Sequence, residues 1–126
     1  MTIQDKHNII DRLDSIGQVV LELGCGPNKR IDGAIGIDAI DYDGVGIVGD
    51  ALSVLRRFPC CSVDAIYSYH FFEHIAVMEI LLDEIARVMK VGSSLNIVVP
   101  HFSNPYFYSD PTHRTFFGLY TFSYYS

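Results

Sequence analysis

Tryptophan is absent from this chain, and cysteine, positive charge and long apolar runs are all scarce. The three cysteines make no disulfide framework: Cys25 stands between two glycines, while Cys60 and Cys61 are adjacent and lack the spacing of a metal site. They read as small packing residues in a chain suited to a reducing, cytoplasmic setting. Nine Lys and Arg stand against fifteen Asp and Glu, a formal net charge of −6, and nothing basic is clustered. That balance argues against a nucleic-acid backbone as the main partner. No apolar run approaches the ~18 residues of a membrane span. The start TIQDKHN shows no basic-then-apolar signal segment. What is present is a globular composition, 49% hydrophobic and 19% charged, over 126 residues. It predicts one domain over 1–126 with a core of its own.

Two further absences concern the stretch around which the chain is organised, VVLELGCGPNKR from Val19 to Arg30. Val19, Val20 and Leu21 read as a buried parallel strand. After Glu22, the run Gly24-Cys25-Gly26-Pro27 forces a sharp turn. Glycine lets the backbone approach a ligand closely, since no Cβ intervenes. Open α/β sheets hold nucleotide-like ligands at such turns, at the carboxyl ends of their strands. A dinucleotide fingerprint needs a third glycine, and Lys29 occupies that position, which disfavours an NAD-dependent enzyme. A phosphate loop needs a G-K-[ST] ending, and none follows. What remains is a carboxylate two residues ahead of a G-x-G pair, which repels phosphate and attracts a cationic amino-acid end. A purely structural turn at Gly24 and Gly26 is the alternative.

Taken in order, the apolar spacing of Ile9, Ile10, Leu13 and Ile16 predicts a helix over 3–16, within an N-terminal segment 1–17. Strands follow at 18–23 and 34–38, with about ten residues between them, too few for a full crossover helix. Asp38 closes the second strand, where a carboxylate can accept hydrogen bonds from ribose hydroxyls. A third strand over 45–48 leads to Asp50, which either accepts from an adenine amino group or caps a helix over 51–58. A fourth strand over 63–67 carries Ser68, Tyr69 and His70 at its carboxyl end. A helix over 75–90 buries Ile75, Met78, Leu81, Leu82, Ile85 and Met89. It stops in a loop at 91–94, and a fifth strand runs over 95–99 to Pro100.

ELGCGP, GID with Asp38, GDA with Asp50, YSYHFFEHI and a helix ending RVMKVGSSLNIVVP follow one another in an order that resembles a class I S-adenosylmethionine-dependent methyltransferase, from Val19 to Pro100. GCGPNKR, AIGID and the later PHFSNPYFYSDPTHRTFF are similar to the methyltransferase domain 11 type, in a subgroup met alongside polysaccharide biosynthesis enzymes. The resemblance implies an α/β fold: a doubly wound, mostly parallel, Rossmann-like sheet of order 3-2-1-4-5. It implies S-adenosyl-L-methionine as cofactor, with Glu22, Gly24, Cys25 and Gly26 at its methionine part. Asp38 would then hold the ribose, Asp50 and Ala51 the adenine, and Ser68 and His70 the floor near the sulfonium. No metal is implied. The sequence departs from the family in K-V-G-S-S where K-P-G-G is usual. The residues after Pro100 also leave too little room for both closing antiparallel strands, so a C-terminally short sheet is expected.

The tail over 101–126 holds ten aromatics between Phe102 and Tyr125, together with Asp110, His113 and Arg114. Aromatic faces pack on sugar C–H surfaces while polar tips bond hydroxyls, so the tail can form an acceptor wall for a small molecule or carbohydrate. It can equally be core, or an interface that the missing strands leave uncovered. Methyl transfer to a hydroxyl needs alignment and removal of a proton, for which a histidine is suited near neutral pH. His70, His101 and His113 are the candidates; His74, at a helix start, reads as packing. The other function class is a truncated or catalytically idle cofactor-binding module acting through a homodimer, paired at an open sheet edge or through the aromatic tail.

Overall fold

The computed structural model of the chain describes residues 2–69, 71 and 78–98. Six strands form one sheet: β1 (Gln4–Asp5), β2 (Val20–Leu23), β3 (Ile35–Asp38), β4 (Val45–Val48), β5 (Val63–Tyr69) and β6 (Met89–Val98). Helix α1 (Ala51–Leu55) links β4 to β5, and α2 (Met78–Val88) precedes β6. The sheet order is β1-β4-β3-β2-β5-β6, parallel throughout except where β1 pairs antiparallel with β4. The expected order 3-2-1-4-5 is therefore present as β4-β3-β2-β5-β6, and β1 is an addition outside β4.

β1 replaces part of the helix expected over 3–16. Gln4 and Asp5 pair with Val48 and Ile47, and the chain then reverses through Asn8 at φ 51°. The Asp5 carboxylate accepts from the backbone N–H groups of Ile9 (2.8 Å) and Ile10 (2.9 Å) and so anchors a 3-10 turn over Ile10–Ser15. Arg12, at φ −127° and ψ 27°, interrupts even that turn. Ile9 and Leu13 are nonetheless buried. The apolar spacing located the inward face correctly, while local hydrogen bonding from Asp5 overrode the helix.

β2 lies at the centre, and both of its faces are covered, as a parallel strand flanked by parallel neighbours requires. Leu21, Leu23, Ile37, Ile47 and Ile66 are wholly buried in the sheet. Val54, Leu55 and Phe58 from the α1 segment and Leu81, Ile85 and Val88 from α2 complete the core. α1 is shorter than the expected 51–58, although Phe58 still packs inward. Of the helix expected over 75–90, α2 covers Met78–Val88, and residues 72–77 lie outside the described residues. Met89 begins β6 instead of ending the helix. The loop expected at 91–94 falls inside β6 as a register shift: Val63 pairs with Met89 but Ala65 with Ser94, and Gly92 takes φ 83°. Cys25 is buried as expected, but Cys60 and Cys61 are exposed and do not belong to the core.

Asp64, in β5, ties the residue ahead of β2 to the start of β6. One carboxylate oxygen accepts from Val19 N–H at 2.8 Å, and the other meets Lys90 Nζ at 3.0 Å. The Val19 hydrogen bond first, and Lys90 second, hold this carboxyl below its ordinary range. A depressed folded value means stability that is present above the unfolded value and lost as pH falls through the folded one. Asp64→Asn is therefore expected to lose stability less steeply than the parent between about pH 5 and pH 3. Parallel acid-melting curves for the two proteins would overturn this.

Candidate functional site

β2, β3 and β5 end side by side, with Leu23 in register with Ile37 on one flank and with Ser68 on the other. The chain leaves β2 through Gly24 at φ 62° and Gly26 at φ 64°, a left-handed conformation that glycine adopts freely. The N–H groups of Gly24 (2.8 Å) and Cys25 (3.3 Å) donate to the Ile37 carbonyl. Gly26 N–H donates to Asp38 Oδ2 at 2.8 Å, and Ile40 N–H donates to Asp38 Oδ1 at 2.9 Å. A single carboxylate thus joins the turn after β2 to the turn after β3.

The two glycines differ in their surroundings. A Cβ on Gly24 would stand 2.8 Å from Cγ of Phe71 and nearer still to Cδ1. The space expected there for a ligand is taken by that ring. A Cβ on Gly26 would meet no described residue within 4 Å, so among the described residues the open side of the turn is at Gly26.

Glu22 is 2% exposed, and its carboxylate accepts from two backbone amides of the following loop. Arg30 N–H reaches Oε1 at 3.0 Å and Oε2 at 3.2 Å, and Ile31 N–H reaches Oε1 at 2.9 Å. A buried carboxylate is tolerated when donors surround it. Lys29 closes the same loop by donating from Nζ to the carbonyls of Ala34 (2.8 Å) and Ile31 (3.3 Å). The Arg30 guanidinium lies over the Tyr69 ring, 4.8 Å from its centroid, and links the loop to the end of β5.

Cys25 packs its sulfur against Gly36, where a Cβ would come within 2.9 Å of Sγ and 2.7 Å of the Gly44 carbonyl. Burial first, then the Asp38 and Glu22 charges, push the Cys25 thiol up to about 11. It is a neutral packing group at pH 7 and not a nucleophile.

Asp50 follows β4 and caps α1, its Oδ2 accepting from Ser53 N–H and Ser53 Oγ, both at 3.1 Å. Ala51 is buried behind it. Ser68 is fully buried at the end of β5, and its Oγ has no hydrogen-bond partner among the described residues. The structure thus brings Glu22, Gly24, Cys25, Gly26, Asp38 and Ser68 to one end of the sheet, with Asp50 and Ala51 after the neighbouring strand. His70, His101 and His113 lie outside the described residues, as do His74 and the tail aromatics. Among the described residues, no three His, Cys, Asp or Glu side chains converge as a metal site would require.

The methyltransferase domain family matches residues 21–97. The chain belongs to that family. The match runs from the middle of β2 almost to the end of β6 and takes in every described residue of the site. This methyltransferase domain is also similar in structure to a SAM-dependent methyltransferase from Archaeoglobus fulgidus, with a TM-score of 0.74 and 26% identity. The similarity covers 86% of this chain and 58% of that one, so the chain spans little more than half the length of its structural relative. No curated protein matches it. Among the described residues, no helix is long and apolar enough to cross a membrane.

Lys29, Gly36 and the Arg30–Tyr69 contact belong to the site and were not anticipated from the sequence. Gly36 carried a signal, a glycine inside a strand of β-branched residues, which marks close approach of another group. Lys29 carried none, because its partners are carbonyls supplied by the fold.

Proposed function

We propose that this methyltransferase domain binds S-adenosylmethionine across the carboxyl ends of β2 to β5 and transfers its methyl group to a hydroxyl of a small molecule or sugar. The observation that carries this is the pairing of the Asp38 carboxylate with a side of Gly26 that no described residue fills, on the central strands of a sheet shared with a SAM-dependent methyltransferase. The residues present fit such a ligand. Ser68 Oγ is a buried polar atom without a partner among the described residues, and a polar ligand at the ends of these strands supplies one.

Asp38 holds the ribose in this proposal. Each carboxylate oxygen accepts more than one hydrogen bond, so the bonds to Gly26 and Ile40 leave capacity for hydroxyl donors. Asp50 uses Oδ2 on Ser53, and Oδ1 serves the adenine amino group, with Ala51 behind it. Gly24, Cys25 and Gly26 shape the turn beside the methionine part. Glu22 acts there by fixing the loop backbone, since its carboxylate already takes two loop amides. Ser68 and His70 form the floor. The bound sulfonium supplies an activated methyl group, and the protein's work is alignment and proton removal. The base is one of His70, His101 and His113. The aromatic tail forms the acceptor wall, which favours a carbohydrate of the kind met in polysaccharide biosynthesis, in a cytoplasmic setting.

Titration calorimetry with S-adenosylhomocysteine tests the cofactor assignment. Removing a charged acceptor costs about 1.5–3 kcal/mol, so Asp38→Ala is expected to bind about tenfold or more weakly. Unchanged affinity would overturn the role of Asp38. Association is the alternative function, because β6 is the outer strand among the described residues and exposes Leu95 and Val98. A homodimer in solution without methyl transfer from labelled cofactor to sugar or small hydroxyl acceptors would favour it.

A further inference from the structure

The end of the sheet opposite the Gly24 turn carries a second constellation. Cys60 and Cys61 are both exposed, with their sulfurs 3.1 Å apart. Consecutive side chains in an extended chain point to opposite sides. They converge here because Cys61 takes φ 60°, a left-handed value shared among the described non-glycine residues only with Asn8. Asn tolerates that region, whereas Cys has no such local preference.

Neighbouring elements impose the kink. Cys61 N–H donates to the Arg87 carbonyl at 3.0 Å, and Ser62 N–H donates to the Val88 carbonyl at 2.8 Å. Ser62 Oγ donates to the Pro59 carbonyl at 2.8 Å. Arg87 Nη2 holds the other side, donating to the carbonyls of Leu55 (3.0 Å) and Phe58 (2.9 Å). The dithiol is therefore clamped between the ends of α1 and α2 and not merely adjacent in sequence.

A direct S–S bond fits this frame poorly. Disulfides span Cα separations of about 4.4–6.8 Å, whereas neighbouring residues across a trans peptide stand about 3.8 Å apart. The chain has no cis peptide among the described residues. A single bridging atom fits better: bonds of about 2.3 Å from one soft centre span a sulfur separation of 3.1 Å at an angle near a right angle. A tetrahedral ion needs further ligands, and no third His, Cys, Asp or Glu converges there among the described residues. A pyramidal centre that uses two bonds to thiols and keeps its third substituent is satisfied.

We propose that Cys60 and Cys61 form a preorganised bidentate site for a monosubstituted trivalent arsenical, R–As=O. In the reaction both thiols add to arsenic and two As–S bonds form. The As=O oxygen leaves as water, carrying both thiol protons, and no oxidation state changes. The hydrogen bond with Cys60 holds the Cys61 thiol above its ordinary value, so a proton is there to be carried away. β5 spans seven residues, about 20 Å, so this site is remote from the Gly24 turn. Its chemistry is separable from cofactor binding.

Phenylarsine oxide added to the reduced 126-residue chain is the probe. The expected result is one arsenic per chain, two of the three thiols lost, and release by 2,3-dimercaptopropanol but not by an equal concentration of 2-mercaptoethanol. Cys60→Ser and Cys61→Ser are each expected to retain the arsenical at least ~100-fold more weakly, since the second bond becomes intermolecular. Both positions are exposed, and unchanged melting temperatures will show that the variants fold. Retention by either variant close to that of the parent, loss of a single thiol per arsenic, or release by the monothiol would each overturn the proposal.

Discussion

Gly24→Ala is expected to destabilise the protein by about 2–4 kcal/mol, and Gly26→Ala by only about 1 kcal/mol. Both residues occupy left-handed backbone, at φ 62° and 64°, and each pays the penalty of a side chain there. The difference lies in what a methyl group would meet. At Gly24 it enters the Phe71 ring, so that ring must move or the turn must open. At Gly26 it meets no described residue within 4 Å. Binding should run in the other direction relative to stability: Gly26→Ala places its methyl on the open side of the turn, beside the Asp38 carboxylate. It is expected to lose S-adenosylhomocysteine affinity while remaining folded. Urea unfolding and calorimetry on the two variants check both halves. Equal destabilisation would mean that Phe71 yields without cost, and wild-type affinity in Gly26→Ala would place the ligand elsewhere.

The turn at E-L-G-C-G was legible because its signals are local: a strand ends, two glycines follow, and an acid precedes them. Asp38 at the end of β3 was legible for the same reason. The partition of labour between the two glycines was not, because it depends on Phe71, which lies 47 residues from Gly24 in sequence. The short apolar runs marked the parallel strands, while their order in the sheet followed from the family resemblance and not from the runs themselves. The N-terminal segment was misread, since Ile9 and Leu13 at helical spacing look alike whether they face inward from a helix or from a 3-10 turn. What decided it was Asp5, whose side chain bonds two amides, and the free edge of β4, which only the assembled sheet provides. For Asp50 the sequence left an adenine contact and a helix cap both open, and the structure has the capping bond. Glu22 showed its position but not its partners.

Those partners make Glu22→Ala the second large effect. The substitution leaves the amides of Arg30 and Ile31 facing a cavity where a carboxylate had accepted both. A buried donor left unsatisfied costs about 1–3 kcal/mol, so a loss of about 2–4 kcal/mol is expected for the pair. Glu22→Gln separates charge from geometry. Oε1 alone receives both amides, at 3.0 and 2.9 Å, and a carbonyl oxygen placed there keeps both bonds. The amide nitrogen then sits where Oε2 stood, 3.2 Å from Arg30 N, with a donor facing a donor. Glu22→Gln should therefore cost about 1 kcal/mol, well short of the alanine variant. Because the same loop carries Arg30 onto Tyr69, the alanine variant should also loosen the link between the loop and β5 and weaken S-adenosylhomocysteine binding. A Glu22→Ala protein with parental urea midpoint would show that the loop amides find water instead. The Glu22 carboxylate would then have to act on the ligand directly, as a group attracting the cationic amino-acid end, and the loss would appear in affinity alone.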